Sequence, residues 1–487
     1  MAIQDINAYA HLTDEDVAEI GRRFAAIEAK HRDSLGEKDA SYIRNLVRTQ
    51  RWMDVGSRIA TIAHPALALP AALVLGNAKI LENLEIGHNV MHGQWDWMND
   101  PEIHSTTWEW DNAGPSSGWK NTHNVTHHTY TNIIGMDNDV GYGVLRVTRD
   151  RKWTPSHLLQ PVTNVVLASL FELAVGFYDV ELGRTFTGRQ TWEETKPKLF
   201  ETFRKVGEQF NKDYVAFPLV AGAAALVTGA GVSALRKKAG RKGKAVKASK
   251  FGRGRKSGKL GRTERAGLKL GAAVGKKLGR ALGKKGLDQR RFTNSVSERV
   301  GGAALAAKRA GQAALVANFM RNVWAYAVIF CGHFPDDAET FTKRTLANES
   351  CDEWYLRQML GSANFEGGKL LTIMSGNLNY QIEHHLYPDM PSNRLAVIGA
   401  EVKEIAKEFG LPYNTDSFPR QLLQVQRTLL KLSLPNHMLK AKPSNAPEVR
   451  SDEAFTENPE IAAQVGNREL AKGLALLKAI RPKGLLV

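Results

Sequence analysis

The chain has 487 residues, enough for one large domain or two or three smaller ones. Its two cysteines exclude a disulfide framework and an iron–sulfur cluster, and they suit a reducing compartment. A net charge of +16 and a mean hydropathy of −0.32 read as soluble, but a strongly basic stretch masks several apolar ones.

In chain order, residues 1–55 open acidic and polar, without the apolar segment of a signal peptide. They read as one or two amphipathic helices, with Thr13 to Asp16 as an N-terminal cap. Residues 59–78 are uncharged and about long enough to cross a bilayer, with Pro65 and Pro70 set to kink or split the span. A helix then presents Glu82, Glu85 and His88 one turn apart. Residues 93–122 are loop-like and rich in Trp, Asp, Asn and Gly. Here Trp95, Asp96, Trp108 and Trp110 are candidates to wall a substrate cleft, or else they form an interfacial aromatic belt. Asp137 and Asp139 sit in a polar loop. Further apolar stretches cover 153–178, 214–235 and 313–332, the last leading into His333, and 180–213 reads as a mixed-charge surface helix.

Between 236 and 309 the composition changes abruptly: 25 Lys and Arg stand against Glu264, Asp288 and Glu298, leaving the rest of the chain at −6. Built from Gly, Ala, Lys and Arg, 236–310 reads as a low-complexity insertion, disordered apart from a weak amphipathic helix near 268–282. It could adhere to anionic lipid or to nucleic acid, or be a solvated insertion without a role. No nucleic-acid-reading fold accompanies the charge, which argues against that partner. Residues 350–380 read as helix, and 395–435 as amphipathic helices.

The chemistry lies in histidine. His88 and His92 are four apart, His123 and His127 repeat that spacing with His128 adjoining, and His384–His385 follow Gln381 and Glu383. On a helix, residues four apart share a face. Imidazole is the commonest protein metal ligand and suits iron, zinc and copper. Three related clusters hold seven of the 14 histidines, too many for core packing, and they imply a site closed by folding. Four ligands fill a zinc tetrahedron, so the surplus argues for two metal ions.

The patterns HxxxH, HxxxHH and QxxHH, with Trp95-Asp-Trp-Met-Asn-Asp-Pro101, Cys331-Gly-His333-Phe-Pro335 and Asn379-Tyr-Gln-Ile-Glu-His-His-Leu-Tyr-Pro388, resemble the membrane fatty-acid desaturase family. The Gln of the third box resembles the subgroup of front-end and bacterial acyl-CoA desaturases. The likeness covers 40–220 and 313–435. It implies an all-α membrane fold with a cytoplasmic helical cap holding a di-iron site, plus the basic insertion. The expected divisions are 1–55, 56–235, 236–310, 311–435 and a tail over 436–487. Carried over residue by residue, the ligands to two ferrous ions are His88, His92, His123, His127, His128, His333, His384 and His385. Gln381 stands where related enzymes place another histidine, as a weak ligand or a ligand's hydrogen-bonding neighbour. Glu85, Asp96 and Glu383 are candidates to orient imidazoles; His64, His104 and His157 are expected to take no part.

The resemblance further implies O2-dependent formation of a cis double bond in a long-chain acyl-CoA, with stearoyl-CoA at Δ9 as the expectation. No heme-binding His-Pro-Gly-Gly motif is present, so electrons from NAD(P)H would come through a separate oxidoreductase, ferredoxin or cytochrome. The setting implied is a bacterial inner membrane with the site on the cytoplasmic face. All boxes must meet on one side, yet three apolar stretches separate the second from the third, so one of them cannot span. Alternatives are a related di-iron hydroxylase, a soluble carboxylate di-iron protein for which Glu85-x-x-His88 is the lone match, and a basic nucleic-acid-binding protein.

Overall fold

Thr13 starts the first long helix, Asp14–Asp33: its hydroxyl accepts from the Asp16 N–H while the Asp16 carboxylate accepts from the Thr13 N–H, a complete capping box where one was expected. The computed structural model describes residues 3–229, 232, 261–341 and 349–439, apart from Asn138 and Asp150. The expected disorder over 236–260 and nearly all of the C-terminal tail lie outside the described residues. Among the described residues the architecture is helical, and the regular strands are two three-residue segments. Asn364–Glu366 pairs in parallel with Thr415–Ser417, Asn364 opposite Thr415.

Contacts divide the chain into two units, one formed by residues 1–47, 80–205 and 322–487, the other by 48–79 and 206–321. In the first, helices Asp14–Asp33, Cys351–Leu360, Gln381–Leu386 and Leu395–Glu408 bury Ile20, Phe24, Leu356, Ile382, Leu386 and Ile398 together. A second core in the same unit gathers Leu84, Tyr142, Phe171, Phe330, Leu378 and Val425. Each such side chain contributes about 1.5–3 kcal/mol by leaving water, so the two cores fix the segments that carry the histidines.

In the second unit the helix expected near 268–282 is present as Arg262–Ala281, and where disorder was expected beyond it the start of Gly286–His333 packs against it, so the described part of the basic stretch is a helical hairpin. Gly267, Gly271, Gly275 and Gly279 form one row, and a Cβ on Gly271 would stand 2.8 Å from the Ser297 Cα. Composition reads those glycines as low complexity; at four-residue spacing they are the face that lets two backbones touch. The cations Lys269, Lys276, Lys277 and Arg280 point to solvent. Elsewhere in this unit, Lys79 donates to Asp213 at 2.9 Å, both fully buried, and Asn318 donates to the same carboxylate at 3.0 Å.

Two helical runs, Pro65–Met91 and Gly286–His333, are long and apolar enough to cross a membrane. Pro155–Ser169 and Phe171–Phe186, bent by 97°, make a third if taken as one broken span. Within the stretch expected over 214–235, the helix Phe217–Thr228 ends at the left-handed Gly229; residues 230, 231 and 233–235 lie outside the described residues. Pro65 does split the first stretch: Glu37–Ala63 ends before it and Ala68–Ile80 resumes after a 3₁₀ turn.

Candidate metal centre

The first two boxes lie on π-helical turns rather than plain α-helix. Ala68–Ile80 continues into a π-turn, Leu81–His88, before Asn89–Met91; Ser116–Trp119 continues into Lys120–His127, before His128–Tyr130. Such widened turns recur at functional sites. The rings of His88 and His92 are 4.6 Å apart, and those of His123 and His127 stack at 4.9 Å. The third box is the six-residue helix Gln381–Leu386, led in by Gly376 at φ +73°. A Cβ on Gly376 would lie 2.8 Å from the Leu84 backbone, so glycine is what lets the third box approach the first. Asn89 ties the two together, donating to the Gly376 carbonyl at 3.2 Å while its Oδ1 lies 3.0 Å from His88 Nδ1.

The eight predicted histidines converge. Ligand nitrogens of His88, His92, His123 and His384 lie within 4.8 Å of one another, and so do those of His127, His333 and His385. His128 stands between, its ring 4.7 Å from that of His92 and 4.5 Å from that of His385. Gln381 Nε2 is 3.0 Å from His333 Nε2, while Gln381 Oε1 is buried without a partner.

A metal fits this set by its hydrogen bonding. Buried polar atoms are normally paired, yet Nε2 of His92, His123 and His127, both ring nitrogens of His128 and His384, and Nδ1 of His333 are buried without hydrogen-bond partners. Burial, reinforced by neighbouring imidazoles, drives His92, His123, His128, His384 and His385 well below the usual imidazole pKa. They are therefore neutral donors with free lone pairs. Burial also disfavours charged His127, but Asp137 and Asp139 outweigh it and raise its pKa.

The carboxylates that face the clustered imidazoles are Asp137 and Asp139 rather than Glu85, Asp96 or Glu383. Asp137 lies 2.9 and 3.0 Å from His127 Nδ1, and Asp139 lies 3.2 Å from His123 Nδ1. Glu85 instead accepts from Tyr42, Ser392 and Asn377, Glu383 from Asn364 and Tyr413, and Asp96 from Ser105. His64, His104 and His157 make local bonds in their own loops and caps, away from the cluster.

A cleft of about 700 Å³, its open mouth included, runs along the cluster. His88, His123, His333 and Gln381 line it with Leu84, Trp110, Trp119, Tyr142, Phe171, Val175 and Ile329. Of the four expected wall residues, Trp110 is there and Trp108 packs half-buried beside it. Trp95 is a core residue, fully buried with Ile43, Val47, Ile86, Val90 and Ile103 and stacked on Tyr42. Trp119 went unnoticed in the sequence although it precedes His123 by four residues on one helical run; it stacks on that ring at 4.4 Å and 21°.

The comparisons agree with this geometry. A family model described as fatty acid desaturase matches residues 63–235 and 262–417. The match runs through the basic hairpin and leaves residues 236–261 unmatched. Two proteins named NADPH-dependent stearoyl-CoA 9-desaturase, from Mycobacterium tuberculosis strains CDC 1551 / Oshkosh and ATCC 25618 / H37Rv, are each 44% identical over 457 residues, spanning 93% of this chain and 89% of the relative. The Delta(5) fatty acid desaturase fat-4 of Caenorhabditis elegans is 33% identical over 91 residues, 19% of each chain. No solved structure matches the chain.

Proposed function

Because the chain belongs to the fatty acid desaturase family, we propose that it places a cis double bond in a long-chain saturated acyl-CoA, stearoyl-CoA at Δ9, using O2 and two electrons. The observation that carries this reading is the convergence of eight imidazoles, six of which (His92, His123, His127, His128, His333 and His384) have a buried ring nitrogen without a protein partner, beside a largely apolar cleft. Its substrate and its NADPH follow the name of the relatives that are 44% identical.

His88, His92, His123 and His384 would hold one iron, His127, His333 and His385 the other, with His128 between them. Iron bound there supplies the O2 activation needed to remove hydrogen from unactivated methylenes. The remaining work belongs to the chain's own side chains. Leu84, Phe171, Val175 and Ile329 would bind the alkyl chain by desolvating it. Trp110 and Trp119 would hold it against the histidine wall, since flat rings fix its position with little rotamer freedom to lose. The apolar part of the lining, once filled by the alkyl chain, would keep water from the reacting carbons. Electrons would come through a separate redox protein, with the site on the cytoplasmic face of a bacterial inner membrane. Membranes from cells expressing the chain, given stearoyl-CoA, NADPH and O2, should yield oleate by gas chromatography. A hydroxystearate product in place of the alkene would refute the desaturase reading.

A further inference from the structure

We infer that the loop bearing Asp137 and Asp139 supplies one backing carboxylate to each of the two metal positions, and so sets both imidazoles and offsets the metal charge. This rests on the two-iron reading above. The two compact histidine groups each contain one member in hydrogen-bond reach of a carboxylate: His127 with Asp137, and His123 with Asp139, which also stands 3.8 Å from His127 where the two groups adjoin. The other described contacts of the clustered imidazoles are neutral. His88 meets the Asn89 Oδ1, and His385 meets the Gln358 Oε1 at 3.0 Å and the Thr131 hydroxyl at 3.2 Å.

Two consequences follow from elementary chemistry. A carboxylate accepting from Nδ1–H fixes the tautomer, leaving the Nε2 lone pair for a metal. The Nε2 atoms of His127 and His123 are both buried without partners, as that tautomer requires. Charge matters as well. Two divalent ions held only by neutral imidazoles would bury uncompensated positive charge, and burying charge without a counterion is costly. Asp137 and Asp139 bring two negative charges to the ring nitrogens that face away from the metals.

The loop is built to hold them there. Both Asp137 oxygens face His127, and they also accept the N–H groups of Asn132 at 2.7 Å and Asp139 at 2.8 Å. Ile134 N–H, bonded to the Phe341 carbonyl at 2.9 Å, anchors the lead-in. Asp137 therefore positions its own imidazole and also sets the turn that aims Asp139.

The test is iron per chain, and its release to a chelator, in the purified full-length protein. Wild type should hold two irons. Asp137→Asn should weaken one of them by about 10- to 100-fold, leaving roughly one tightly held, and Asp139→Asn should weaken the other. In the Asp137→Asn background, His385→Ala should remove nothing further, whereas His92→Ala should take the remaining iron. If Asp137→Asn loses its helical circular dichroism, Asp137→Glu carries the test: it keeps the carboxylate and should hold two irons, one released faster. Variants that keep two irons with wild-type release, or folded single variants that lose both together, would overturn the inference. Wild type without iron would instead overturn the function proposed above.

Discussion

Glu85→Leu tests the frame that holds the histidine clusters without touching a metal. The Glu85 carboxylate is fully buried and accepts from three side chains: Tyr42 at 2.7 Å, Ser392 at 2.7 Å and Asn377 at 2.9 Å. Those donors come from the second long helix and from the segments before and after the third box, so Glu85 knots them to the first box. Leucine fills the volume and offers no acceptor, so the two buried donors Ser392 and Asn377 lose theirs, while the half-buried Tyr42 hydroxyl is left near Asn377. At roughly 1–3 kcal/mol per stranded buried donor, the loss is at least about 2 kcal/mol. For a unit of this size that corresponds to a fall in melting temperature of roughly 3 °C or more. Intrinsic tryptophan fluorescence during a thermal ramp in detergent reads it. Iron content of the folded Glu85→Leu protein at low temperature should match wild type, because no imidazole bonds this carboxylate. Melting within about 1 °C of wild type would refute the reasoning.

Gly271→Val should open the basic hairpin, since its Cβ would sit 2.8 Å from the Ser297 Cα and from the Val300 Cβ; overpacking of this kind costs about 1–3 kcal/mol. Trypsin should then cut near Lys269 and Lys276 much faster than in wild type, whereas equal cutting of both would mean the hairpin is not folded in solution. Asp39 gives a pH dependence. Burial pushes its carboxyl up, but bonds from Arg394, Asn393 and the Gly36 N–H outweigh this and hold it below the usual range. A depressed folded pKa contributes stability above the unfolded value and loses it as pH falls through the folded one. Wild type should therefore melt higher than Asp39→Asn at neutral pH, with the gap closing in acid; a gap that widened in acid would contradict the assignment.

What could be read from the sequence was local. Thr13 and Asp16 form their capping box from four consecutive residues, and the box histidines share faces because four-residue spacing suffices. The convergence of His333, His384 and the first two boxes came from their chemistry, since seven clustered imidazoles have few other uses. Contacts set by folding stayed hidden. Asp137 meets His127 from ten positions away through a turn whose geometry depends on Asn132, so the polar loop carried no visible sign of its partner. Glu85, beside His88 in sequence, points instead to Tyr42 and Ser392. Trp95 and Trp119 look alike in a Trp-rich stretch, and packing alone sends one to the core and the other to the cleft. The glycines of the hairpin misled because composition averages over position, whereas their spacing of four is what packs.

On this reading two metal ions sit in two histidine groups of four and three, with His128 between them. An element-specific map of the purified protein, by anomalous scattering at the iron edge, tests it most directly. Two iron peaks are predicted, one among His88, His92, His123 and His384 and one among His127, His333 and His385. A single peak, a zinc signal, or metal outside these groups would contradict the account.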